Sequence, residues 1–213
     1  YNYKMEVGKS MGLIYGFVND GFYTADDFNF DETTKKWTLK PGVPDNSSFS
    51  SGNFSFKPGA MKFKKLSDSD SDLITEEDMT VIGNTNPKVT GGFGLSGSWK
   101  NLDFTAFFNY MCDFDVFNVN KLYLNSAVRR NYSNLSTNMN LARRFRYVDD
   151  AGVNVSSDPV ALAALNQNAA TYSWMSVTQG ITMSDLIEDG SFLRLSTPVS
   201  YTHLRAHETS AHL

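Results

Sequence analysis

Carboxylates at alternate positions carry the densest chemistry in this chain. In the stretch LSDSDSDLITEEDM, Asp68, Asp70 and Asp72 are spaced i, i+2, and Glu77 and Asp78 follow within reach. A hard cation such as calcium takes several oxygen ligands, and a folded loop turns successive i, i+2 side chains toward one point. The spacing therefore points to a calcium-type loop with Asp68, Asp70, Asp72 and Asp78 as metal ligands. One position breaks the pattern: Leu73 follows the third aspartate, where such a loop needs the glycine that permits its sharp turn. A hydrated acidic turn is the competing reading, and calcium is expected to bind weakly or not at all.

Other reactive groups are less promising. His203, His207 and His212 fall in the last eleven residues, and the i, i+4 pair could meet zinc on a helix. Only Glu208 stands nearby as a further ligand, so metal binding is not expected there. Arg143, Arg144 and Arg146 could hold an anion, but three arginines in an acidic chain are expected to pair with neighbouring carboxylates. Glu188 and Asp189 are adjacent and point to opposite faces of a strand, a poor arrangement for a glycosidase pair. Cys112 is the single cysteine, which rules out an intrachain disulfide. There is no serine-centred elbow, zincin motif or phosphate loop, so the chain is not expected to be an enzyme.

The clearest element spans residues 87–112. Val89, Phe93, Leu95 and Trp99 share one parity, with Thr90, Gly92, Gly94, Ser96 and Ser98 on the other. A second arm repeats this with Leu102, Phe104, Ala106, Phe108 and Tyr110 against Asp103, Thr105, Phe107 and Asn109. Two such arms predict an antiparallel hairpin turning at Lys100 and Asn101. Each arm is about ten to twelve residues, close to what a tilted strand needs to cross a bilayer. A sandwich exposed to water would show the same period with shorter strands.

Elsewhere the signals are briefer. Residues 1–24, dotted with glycine, read as one or two short strands. Residues 25–60 read as a long connection, punctuated by Pro41, Pro44 and Pro58. Short helices are expected in 116–128 and in 159–170, the latter capped by Asp158 with Pro159 at its first position. The last strand is expected in IEDGSFLRL, residues 187–195.

Composition agrees with a β-rich protein. Sixteen phenylalanines and ten tyrosines in 213 residues fit rings filling a sheet face or a girdle at a bilayer interface. A net charge of −4 gives no reason to expect nucleic acid as a partner. No run of apolar residues is long enough for a transmembrane helix.

The segments YGFVNDGFY (15–23), WTLKPGVPD (37–45), ITEEDMTVIGNTNPKVTGGFGLSGSWKNLDFTAFFNY (74–110) and LIEDGSFLRL (186–195) occur together and in order. In that combination the chain resembles the C-terminal half of SusC/RagA-family TonB-dependent transporters over most of residues 1–196. The resemblance implies an all-β fold: a partial transmembrane β-barrel, seen as an incomplete antiparallel curved sheet with long loops containing short helices. It implies the outer membrane of a Bacteroidetes-type cell. It also implies uptake of an oligosaccharide or peptide with a SusD-like surface lipoprotein, energised by TonB. Outer-membrane lipid would be a further partner. In the family, the stretch before TVIG commonly reads as a calcium-type loop, to whose acidic positions Asp68, Asp70, Asp72 and Asp78 correspond; its glycine has no counterpart here. A small self-closing barrel and a soluble all-β binding module are the alternatives.

Two features mark the chain as a piece of something longer. Tyr1 opens it inside structured sequence, so the plug and the TonB box are expected outside it. After LRL the sequence PVSYTHLRAHETSAHL loses alternation and resembles translated adapter sequence. Residues 1–197 are therefore expected to be the native fragment and 198–213 a non-native or disordered tail.

Overall fold

The computed structural model describes residues 5, 7–49, 56–125, 134–173 and 181–202. Eleven strands lie among them. The first six are β1 (Leu13–Gly16), β2 (Asn19–Phe22), β3 (Phe28–Asp31), β4 (Lys36–Leu39), β5 (Met61–Phe63) and β6 (Thr80–Asn84). The others are β7 (Val89–Trp99), β8 (Leu102–Cys112), β9 (Asp115–Phe117), β10 (Ile187–Asp189) and β11 (Phe192–Thr202). Two short helices, α1 (Val119–Leu124) and α2 (Pro159–Leu165), accompany them. The chain divides into two compact units, one from Tyr1–Gly83 with Phe117–Glu188, the other from Asn84–Val116 with Asp189–Leu213.

This architecture corrects the expectation of a partial transmembrane β-barrel. Among the described residues the strands form five separate sheets, four of two strands and one of three, and none closes on itself. Eight of the eleven strands are three to five residues long. At about 3.3 Å per residue, such strands cover roughly 10–17 Å, well short of a bilayer core. The long alternation at 87–112 is real, but it is a local feature, and the segments around it carry no comparable period. Separately, no described helix is long and apolar enough to cross a membrane, which says nothing of strands. The fold is a mixture of small antiparallel sheets, short helices and well-bonded loops.

The first unit is held by a core of Phe17, Met61, Phe63, Ile74, Leu122, Met139, Tyr172, Met183 and Leu186. Phe63 stacks on Phe17 at 5.2 Å, and Phe49 closes against both rings. Burial of each large side chain contributes about 1.5–3 kcal/mol. The chain ends of this unit are knitted by backbone bonds: Phe17 N–H donates to Thr182 O and Ser184 N–H to Phe17 O, both at 2.9 Å. Gly16 makes that approach possible, because a Cβ there would lie 2.4 Å from the Thr182 carbonyl oxygen.

Residues 25–60 are not only a connection. They contain the β3–β4 hairpin, in which Phe28 pairs with Leu39 and Phe30 with Trp37. The Phe30 and Trp37 rings lie 4.7 Å apart, and buried Phe28 meets Tyr23 edge-on at 5.7 Å. Its turn is organised by Asp31, whose Oδ1 accepts the Thr33 N–H at 2.8 Å. Four residues on two short arms give too little period to separate such a hairpin from a loop. The α2 helix lies where Asp158 and Pro159 place it: Asp158 Oδ1 accepts the N–H groups of Val160 and Ala161, each at 3.0 Å.

The second unit holds one antiparallel sheet in the order β11–β8–β7. The hairpin is the one the alternation predicts, running from Val89↔Cys112 to Trp99↔Leu102, with Lys100 in the left-handed region at φ 56°. Directly opposed residues share a face, so Val89, Phe93, Leu95 and Trp99 lie beside Cys112, Phe108, Ala106 and Leu102 in turn. Phe93 and Phe108 stack at 5.0 Å. Gly91 and Gly97 belong to this same face and leave room for the Tyr110 and Phe104 rings, which would stand 2.6 Å from a Cβ at either position. Phe107 lies on the opposite face and is also exposed.

β11 runs through Leu195 to Thr202, pairing with β8 as far as Thr202↔Leu102. Backbone pairing thus continues into the first residues of the expected tail. The register shifts between Leu195 and Thr197, and Pro198 is tolerated because β11 is an edge strand.

Candidate functional site

The acidic loop is built around one carboxylate. Asp78 is fully buried, whereas Asp68, Asp70 and Asp72 are exposed. Oδ1 of Asp78 accepts the backbone N–H groups of Leu66 at 2.9 Å and Ser67 at 2.8 Å. Oδ2 accepts Thr75 N–H at 2.8 Å and the Lys65 ammonium at 3.2 Å. Burial alone would push this carboxyl upward, but the backbone donors from Ser67, Thr75 and Leu66 outweigh it. They hold the group well below the usual carboxylate range. Asp78 therefore ties the two ends of the loop together.

The loop is also fixed from outside. Asp45 N–H donates to Asp72 O and Ile74 N–H to Asp45 O, both at 2.7 Å, making a parallel bridge between Asp45 and Leu73. Asp72 Oδ2 accepts Gly42 N–H at 2.8 Å. Ile74 then plants the loop in the core. Beneath this bridge Asn46 is buried, with Nδ2 donating to Met61 O at 2.8 Å and Oδ1 accepting the Tyr23 hydroxyl. Burial raises the Tyr23 hydroxyl well above its ordinary value.

Of the four expected ligands, only Asp78 and Asp72 engage the rest of the loop framework, and they do so at different places. Among the described residues no three His, Cys, Asp or Glu side chains come together as a metal ion needs. His203, His207 and His212 lie outside the described residues. Arg146 donates to Asp150 at 2.6 Å, an i, i+4 ion pair of the kind expected for the arginine run. Glu188 accepts Asn118 Nδ2 at 2.9 Å and Asp189 accepts Ser191 N–H at 2.8 Å, so the two carboxylates serve separate contacts, one long-range and one local.

Sequence reasoning missed a second polar cluster. Lys121 Nζ donates to Asp185 O at 2.5 Å, Tyr172 donates to Asp185 Oδ2 at 3.3 Å, and Asn125 donates to Tyr172 at 3.1 Å. Burial, and then the Asp185 charge, push the Tyr172 hydroxyl upward. Its members lie 47 to 64 residues apart along the chain in two of these contacts, so no local motif announces it. Lys65 was likewise passed over, having no spacing signal of its own.

No family model matches the chain, and no curated protein matches it. Among solved structures it is similar to the RagAB peptide importer in its closed-closed state, at 20% identity and a TM-score of 0.45, covering 93% of this chain and 18% of that one. A structure of the RagAB peptide transporter matches at 18% identity and a TM-score of 0.43, again over 93% of this chain and 18% of that one. The importer's open-open state matches at 18% identity and a TM-score of 0.42, over 93% of this chain and 17% of that one. The likeness is distant, and the chain spans less than a fifth of the chains it matches.

Proposed function

We propose that this chain is part of a SusC/RagA-type importer associated with the outer membrane, and that its first unit serves there as a β-rich binding module. The observation that carries this reading is the ordered set of segments between residues 15 and 195 that resemble the family. The structure adds a physical reason to read a module: loops in the first unit are held rigid by buried hubs, at Asp78 and at Tyr23 with Asn46. Rigid loops on a small core can present backbone and polar groups to a ligand at low ordering cost. The ligand class is an oligosaccharide or a peptide, taken up with a SusD-like lipoprotein and energised through TonB. The role is transport and not catalysis.

The test is fractionation of the source cells with an antiserum raised against the chain. Recovery in the outer-membrane fraction together with a surface lipoprotein is the expected result. Recovery in the cytoplasm without such a partner would overturn the proposal. We further propose that native sequence ends near residue 197, which sequencing of the parent gene across that codon checks.

A further inference from the structure

We propose that Lys65 supplies, as a tethered ammonium, the positive charge that a bound cation would bring to a loop of this type. Its Nζ lies 2.8 Å from the carbonyl oxygen of Leu73, the residue standing where a calcium loop carries glycine, and 3.2 Å from Asp78 Oδ2. The Lys65 side chain is only 18% exposed and that of Asp78 is 0% exposed. An ionised carboxylate offers about four lone-pair positions. Asp78 has three backbone N–H donors and this ammonium, two donors on each oxygen. No position is left for a metal ion on the one acidic residue of the loop that is buried.

The remaining carboxylates agree with this arrangement. Asp72 uses Oδ2 to accept Gly42 N–H, and Asp68 and Asp70 face solvent. The loop is consequently ordered with calcium or without it. The inference is independent of the transport reading, because it concerns how the loop is closed and not what the module binds.

Thermal unfolding of the whole chain tests it in three forms: wild type, Lys65→Met and Lys65→Arg, each with chelator and with calcium on the order of 1 mM, where weak extracellular sites load. Wild type is expected to unfold at the same temperature in both buffers. Lys65→Met keeps the stem but loses the charge, and its midpoint in chelator should fall by roughly 5–10 °C. Lys65→Arg should stay near wild type and remain indifferent to calcium. A wild-type midpoint that rises by several degrees with calcium would overturn the inference, as would a Lys65→Met chain as stable as wild type in chelator. If Lys65→Met does not fold while Lys65→Arg does, the requirement for the charge is upheld. If neither folds, the charge is not what matters and the inference fails.

Discussion

The two units of this chain use the same residue types to opposite ends. In the first, phenylalanine and tyrosine are buried: Phe63 and Tyr23 are inaccessible, and Phe17 and Phe28 are nearly so. In the second, rings stand in the open on both faces of one sheet, with Phe93 at 44% and Phe107 at 42% exposure. Strands of three to five residues cannot form a sheet stable alone, so in the first unit side-chain burial and loop hydrogen bonds must hold the backbone. Strands of eleven residues hold each other through a continuous ladder, and their side chains contribute less. Stability in the first unit is thus expected to be sensitive to side chains, and in the second to be sensitive mainly to register.

The largest separation should come from truncating one ring. Phe63→Ala is expected to cost about 3–5 kcal/mol, while Leu95→Ala, at a side chain more than half exposed, should stay within about 0.5 kcal/mol. Denaturant unfolding of both variants measures the difference; similar losses would break the comparison.

Next is the carboxylate hub. Asp78→Asn keeps the shape but places an amide among donors and leaves Lys65 without its partner, for a loss of about 2–4 kcal/mol. Because the Asp78 carboxyl is depressed on folding, its contribution is fully present above the ordinary unfolded value of about 3.9 and is lost as pH falls toward its lower folded value. Stability measured downward from pH 6 should therefore decline less steeply in Asp78→Asn than in wild type.

Glycines sharpen the contrast further. Gly16→Ala drives a methyl into a backbone carbonyl and should cost about 1–3 kcal/mol. Gly97→Ala meets the Phe104 ring, which is itself 46% exposed and able to swing aside, so a loss below about 1 kcal/mol is expected. Equal penalties would show that the second sheet is as tightly packed as the core.

This division also explains what could be read in the sequence. The β7–β8 hairpin was legible because alternation persists over eleven residues on each arm and Lys100–Asn101 breaks it once. The α2 cap was legible because Asp158 and Pro159 each act on their own neighbours. Three-residue β5, whose core side chains Met61 and Phe63 meet partners far away in sequence, offered no period to detect. The barrel implied by the family resemblance fails there: outside one long hairpin and its edge strand, the pairings are short and scattered. In the acidic loop the stretch itself was visible. What closes it was not, since backbone N–H groups have no residue type and a lysine two positions ahead of Ser67 carries no motif.

The discontinuous make-up of the first unit has a consequence for the order of events during synthesis. The β7–β8 hairpin is complete once Cys112 has emerged, and hairpins of this kind close in about 1–10 μs. The first unit cannot finish its core until Met183 and Leu186 arrive to meet Phe17. At about 5–20 residues per second, the stretch from Cys112 to Met183 takes roughly 4–14 s to make. For that interval the hairpin can exist with its rings uncovered while Phe17, Met61 and Phe63 wait, half-clustered, for a segment that has not yet been translated.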